Sequence, residues 1–237
     1  KAVCGMAGLL CSTGTLLGRA NGRDFRLLPG IAPKLHCDGM ELIFYDSWYG
    51  QEEKLYATLC DVCLPIPVHH VEKNICSYLA SESPEDVALG HRRFEINCQL
   101  ASAMHAGKLV FHLWDGRMDM PAIERAIAQL THLIQTAEKY GLLLTVENIV
   151  SMHTDPLSCL HLLHSRFPSL AFTYDTKMAA FHHQEERFYA AETRSLLPCI
   201  RHFHINDYQG GYMEWQRLKT LHPGEGLVNF QKLFAFI

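Results

Sequence analysis

The chain has 237 residues, 48% of them hydrophobic and 19% charged, with 25 acidic against 21 basic side chains and a formal net charge of −4. That is ample apolar material for one large α/β domain and too much for a disordered chain. The acidic balance offers no electrostatic footprint for nucleic acid, and no apolar stretch approaches the ~20 residues of a membrane-spanning helix.

The N-terminal apolar stretch, Ala2 to Cys11, is interrupted by Gly5 and Gly8. It reads as a first strand, Val3 to Ser12, rather than a signal peptide. A polar loop follows, then a helix near Asp24 to His36 that Pro29-Gly30 breaks or kinks. The second strand is Gly39 to Tyr45, with Glu41 in its sequence. A helix from Glu52 to Asp61 leads into the third strand, Leu64 to His70. Ser83 before Pro84, with Glu85 and Asp86 in the first turn, starts a long helix that runs to His105. The fourth strand is Lys108 to Leu113. Pro121 to Tyr140 is amphipathic, with Ile123, Ile127, Leu130, Leu133 and Ile134 near helical spacing. Gly141 stops that helix directly before the fifth strand, which begins at Leu142 and ends at Glu147. Asp155-Pro156 opens a helix to about Arg166, and the sixth strand runs from Leu170 to Asp175. A helix over Glu185 to Leu196 precedes the seventh strand, which follows Pro198. Tyr208 to Gly226, rich in glycine and aromatics, reads as a long rim loop before a last helix, Leu227 to Phe236.

Strand and helix alternating in units of about 30 residues point to a single α/β domain over residues 1–237, a (β/α)8 TIM barrel. No glycine-rich dinucleotide fingerprint follows the first strand, which argues against an open doubly wound sheet. The eighth strand is missing from this chain. An open barrel would expose the edges of the first and seventh strands, which natural proteins avoid, so the expectation is a barrel truncated at its C-terminus. Nine cysteines, an odd number at 4, 11, 37, 60, 63, 76, 98, 159 and 199, read as reduced thiols in a cytoplasmic protein. Cys60-Asp-Val-Cys63 has no second pair to complete a zinc site and reads as two packing thiols.

Polar residues at the carboxyl ends of barrel strands face the active site. In chain order these are His70, His112, Glu147, Asp175, and His204 with Asp207. Glu147, Asp175 and His204 stand about one strand plus one helix apart. On neighbouring parallel strands they emerge at the same rim, and two carboxylates with an imidazole suit one divalent cation. Each residue alone has a plainer reading: Glu147-Asn148 as a helix cap, Asp175-Thr176 as an Asx-turn, His112 beside Trp114 as a core histidine. Trp48, Trp114 and Trp215 fall past strand ends or in the rim loop, where aromatic walls suit sugar rings and core packing serves equally well. The pattern leaves open which of His69 and His70 points inward.

Thr145-Val-Glu-Asn148, Phe172-Thr-Tyr-Asp175, His202-Phe-His-Ile-Asn-Asp207 and His222-Pro-Gly-Glu-Gly226 resemble the successive motifs of the xylose isomerase-like barrel superfamily. That group includes sugar-phosphate isomerases and epimerases, inosose dehydratases and endonuclease IV. The resemblance implies that Glu147, Asp175 and His204 are three of four metal ligands, the fourth being a glutamate on an eighth strand that this sequence lacks. It also implies substrate contacts, or extra zinc ligands, at His70 and His112. Asp207 would orient the metal histidine or touch substrate, or serve as a turn residue, and His222 would reach over the rim. After Asp175 the family pattern is often Asp-x-x-His, whereas Met178 stands here, a poor ligand for a hard ion. Lys177 beside it is a candidate for a substrate phosphate or carboxylate.

The expected function is therefore a metal-dependent isomerase or epimerase of a small sugar, sugar phosphate or polyol, with a dehydratase chemically close. It would use one divalent ion (Mn, Mg, Co or Zn) and Glu147 as a proton-transferring base through an enediolate. Its partner is a small-molecule sugar, not nucleic acid or membrane, and a homo-oligomer is compatible with the outer helices. Two rival readings are an endonuclease IV-like zinc phosphodiesterase, weakened by Met178 and the lack of a basic cluster, and a non-catalytic sugar-binding barrel.

Overall fold

The computed structural model describes residues 8–237, the side chain of Glu192 excepted, so residues 3–7 of the expected first strand lie outside it. Seven strands, β1 (Leu10–Ser12), β2 (Gly39–Ile43), β3 (Val68–His70), β4 (Lys108–Phe111), β5 (Leu143–Glu147), β6 (Ala171–Asp175) and β7 (Ile200–His204), form one sheet in the order β1-β2-β3-β4-β5-β6-β7. All six pairings are parallel. Parallel neighbours in sequence order, joined largely by helical crossovers, form the wall of a TIM barrel seven strands wide. The sheet is curled: Lys108 Nζ on β4 donates to the Arg201 carbonyl on β7, and Glu41 on β2 lies 2.7 Å from His202 on β7.

The helices follow local signals, with informative departures. The expected Asp24–His36 helix is only α1 (Leu28–Ile31) between two 3-10 turns, because Pro29 and Pro33 interrupt the donor ladder. Next come α2 (Glu52–Cys60) and α3 (Ile75–Leu79), the latter not anticipated. The long α4 (Pro84–Ala103) is capped as its start signal predicts, Asp86 N–H donating to Ser83 Oγ at 3.3 Å. The Pro121–Tyr140 pattern is two helices, α5 (Met120–Ala128) and α6 (Leu130–Lys139), meeting at Gln129. Gly141 then turns the chain at φ +72°, a left-handed conformation costly for other residues. α7 (Pro156–Arg166) is capped by Asp155, and a short α8 (Thr176–Phe181) follows β6 directly. α9 (Glu185–Tyr189) gives way to a 3-10 segment where a continuous helix to Leu196 was expected, and α10 (Phe230–Phe236) ends the chain.

Alternation along the strands sorts side chains between two faces. Met40, Leu42 and Phe44 point outward into one apolar cluster with Leu28 and Leu55, while Leu109, Phe111, Val146 and Phe172 belong to the larger one. The residues between them, including Glu41, Thr145, Glu147, Thr173 and Asp175, turn inward and are buried. The barrel interior is thus polar, and its buried charges require partners.

Candidate metal centre

Strand ends β3 to β7 bring five side chains to one place. His70 points inward with its Nδ1 2.9 Å from the Val71 carbonyl, while His69 faces α4 and meets Asn97 Oδ1 at 2.8 Å. That settles the His69/His70 ambiguity. His112, just past β4, brings its Nε2 to 3.1 Å from His70 Nε2 and 2.8 Å from Glu147 Oε2. His204 Nδ1 lies 2.7 Å from Glu147 Oε1 and 3.8 Å from Asp175 Oδ2. Two groups able to hold a metal ion therefore share Glu147: Glu147, Asp175 and His204, and His70, His112 and Glu147; a third, Glu41, His202 and His204, adjoins them through His204, and in each the donor atoms lie within 4.8 Å of one another.

Asp175 serves two ends at once. Its Oδ1 accepts the Met178 N–H at 3.0 Å, capping α8, while Oδ2 accepts Asn206 Nδ2–H at 2.9 Å and faces His204. Its backbone is clamped by Asn148, whose Oδ1 accepts the Asp175 N–H at 2.6 Å and whose Nδ2–H donates to the Asp175 carbonyl at 3.1 Å. Met178 sends its side chain against the main core.

Burial and charge act against each other in this cluster. Burial works to raise the Glu147 carboxyl, but the charged His204 imidazole, 2.7 Å from Oε1, holds it well below the usual carboxylate range. His204 is the converse: burial opposes its charge, and Glu41 and Glu147 raise it well above an ordinary histidine. Burial pushes His112 down to about 3, against the pull of Glu147, so it is a neutral imidazole. Asp175 is raised by burial and by Glu147, with Lys177 opposing.

A divalent cation fits this donor set. Glu147 Oε2 is buried and accepts no hydrogen bond of acceptable direction, although His112 Nε2 is 2.8 Å and His70 Nε2 3.5 Å away. Such an orphaned acceptor is costly unless a cation or a proton joins it. Two carboxylates and an imidazole, with two more imidazoles adjoining, are ligands common to Zn²⁺, Mn²⁺ and Co²⁺.

The remaining candidates sit otherwise. Asp207 is fully buried, but four main-chain amides occupy its carboxylate: Tyr208 and Val228 donate to Oδ1 at 2.8 and 3.0 Å, Gly224 and Gly226 to Oδ2 at 2.8 and 2.9 Å. That arrangement folds the rim loop and leaves neither carboxylate oxygen free for His204. Trp114 is fully buried in the main core, its Nε1–H donating to the Ile149 carbonyl at 2.8 Å. His222 is exposed, with its backbone N–H on Glu225 Oε2 at 3.0 Å. Lys177 donates to Thr220 Oγ1 at 3.0 Å.

Four residues of the centre's surroundings were given no role at the site by the sequence: Glu41, His202, Asn148 and Asn206. Glu41 accepts from His202 Nε2 and from His204 Nε2. A charge at an alternate position of the apolar run Met40-Glu41-Leu42, and the i, i+2 spacing of His202 and His204, were the available signals.

A TIM barrel whose strand ends converge on buried carboxylates and histidines is the class of protein that fold and site define. More particularly, the chain belongs to the xylose isomerase-like TIM barrel family, whose model matches residues 31–237. Solved structures of similar fold include a D-tagatose 3-epimerase-like protein (TM-score 0.72, 17% identity, covering 96% of this chain and 85% of that one). A D-allulose 3-epimerase from Methylomonas sp. in complex with D-allulose is also similar (TM-score 0.69, 17% identity, 97% and 80% covered). So is a 3-keto-D-glucoside 4-epimerase from E. coli (TM-score 0.64, 16% identity, 95% and 85% covered). At these identities the likeness is one of fold. No curated protein matches the sequence.

Proposed function

We propose that the protein is a metal-dependent epimerase or isomerase of a small keto sugar, working by proton transfer at the carbon beside a carbonyl. The observation that carries this is the convergence of Glu147, Asp175 and His204 from three adjacent strand ends onto one point. The fold neighbours named as epimerases of tagatose, allulose and a 3-keto-glucoside support the substrate class. Glu147, Asp175 and His204 would hold the cation, which when bound would polarise adjacent substrate oxygens and offset the charge that develops as the proton leaves.

Glu147 stays ionised, so its base form is present, and Oε2 is the atom free to take the proton. His112, neutral, and His70, turned inward beside it, are placed to donate to or accept from sugar hydroxyls. Asn148 and Asn206 hold Asp175 in place. The described cysteines are all free thiols, which suits a reducing cytoplasmic setting.

Glu147→Gln is expected to lower turnover of a responsive ketose by about 10²–10⁴-fold while the circular dichroism spectrum is retained. Full activity at normal metal content would overturn the mechanism. The His70, His112 and Glu147 triad favours one second reading, a multi-zinc phosphodiesterase. Elemental analysis separates the two: one divalent ion per chain supports the epimerase, and two or three zincs with cleavage of abasic duplex DNA support the phosphodiesterase. Absence of any uptake would leave a sugar-binding barrel.

A further inference from the structure

Glu41 stands on β2, on the edge of the His204 ring opposite Glu147. It is 2% exposed, and the proton transfer proposed above makes no use of it. A carboxylate so deeply buried is costly unless well-placed donors surround it. Two do. His202 Nε2 lies 2.7 Å from Oε2, and His204 Nε2 lies 3.0 and 3.1 Å from Oε2 and Oε1. The His204 ring is therefore gripped at both nitrogens, Nε2 by Glu41 and Nδ1 by Glu147, with Asp175 near Nδ1 as well.

Which ring nitrogen of a histidine coordinates a metal is set by the bond the other one makes. A carboxylate fixed on Nε2 keeps the proton there and turns the Nδ1 lone pair to the ligands on the far edge. We infer that Glu41 is a positioning residue: held in place by His202, it locks His204 in the Nε2–H tautomer and so presents Nδ1 to a divalent cation shared with Glu147 and Asp175. This rests on the metal centre proposed above. His202 and His204 share one face of β7, and Glu41 spans both from β2. The orienting layer thus lies inside the barrel, beneath the ligands, and crosses between strands that are not sheet neighbours.

The test is ¹⁵N NMR of histidine-labelled protein titrated with Zn²⁺ alone, with calorimetry on the same samples. The expected spectrum has zinc on His204 Nδ1 and a slowly exchanging proton on Nε2. Glu41→Gln is expected to speed that exchange and to weaken zinc binding by about 10- to 100-fold. Zinc on Nε2 of the unsubstituted protein overturns the inference without recourse to any variant, so a poorly folding Glu41→Gln does not shelter it. Zinc affinity within twofold of the parent, with unchanged Nε2–H exchange in Glu41→Gln, also overturns it. Either result leaves the metal reading standing, whereas no zinc uptake by the parent protein overturns both.

Discussion

Four main-chain amides converge on Asp207, and this single side chain sets the path of the rim loop from Tyr208 to Val228. Burial raises its carboxyl, but the amides of Val228, Gly226, Tyr208 and Gly224 hold it below the usual range. Asp207→Asn, which turns an N–H₂ toward two of those donors, is expected to cost about 2 kcal/mol at pH 7 in denaturant unfolding. The sign of the pH dependence follows. A carboxyl depressed on folding lends stability that is complete above its unfolded pKa of about 4 and is lost as pH falls through the folded value. The gap between the parent and Asp207→Asn should therefore narrow on acidification below about pH 4. A gap that stayed constant through that window would show that the charge contributes nothing. At this scale the sequence was a partial guide. Residue type and strand-end position singled out Glu147, Asp175 and His204, but nothing in the sequence shows that Asp207 is already satisfied by a loop or that Trp114 is sealed in the core.

Among elements, the joints matter more than the strands. Asp155 caps α7 by accepting the Ser158 N–H at 2.7 Å, and its other oxygen accepts from Gln184 at 2.6 Å and Arg187 at 2.8 Å. One carboxylate thus ties α7 to the start of α9. Asp155→Ala is expected to lower the unfolding free energy by about 1–2 kcal/mol, the range for a lost N-cap. A loss below about 0.5 kcal/mol would mean that the cap itself contributes nothing. At the entrance to β2 a different constraint rules. A Cβ at Gly39 would lie 2.8 Å from the Pro65 carbonyl oxygen, a backbone atom held by the β2–β3 crossing. Gly39→Ala is accordingly expected to destabilise by about 1–3 kcal/mol, the usual cost of overpacking. Element types were legible because capping residues and stop glycines act locally. The division of α5 from α6 at Gln129 was not, since the apolar spacing runs through it unbroken.

At the scale of the molecule, metal and barrel should be linked. The proposed ligands come from three strands, so a cation that binds only the folded form stabilises the whole sheet. At a hundredfold excess over its dissociation constant the gain is about 2.7 kcal/mol. The thermal midpoint is expected to rise with Zn²⁺ or Mn²⁺, to fall back on chelation, and to show no rise in Asp175→Asn. A full rise in that variant would place the cation elsewhere. No described helix is long and apolar enough to cross a membrane.

The sequence by itself determined the α/β alternation, the barrel class and the family, because strand and helix periodicities and the motifs at strand ends are carried by near neighbours in the chain. It marked Glu147, Asp175 and His204 for the same reason: a polar residue that ends an apolar run in a parallel sheet emerges at one rim. Only the tertiary structure decided that His70 rather than His69 turns inward, that Asp207 belongs to the rim loop, and that Glu41 and His202 back His204. Alternation separates two faces of a strand without saying which is concave. The contact of β2 with β7 exists only once the sheet has curled, through residues far apart in the chain and never adjacent in the strand order.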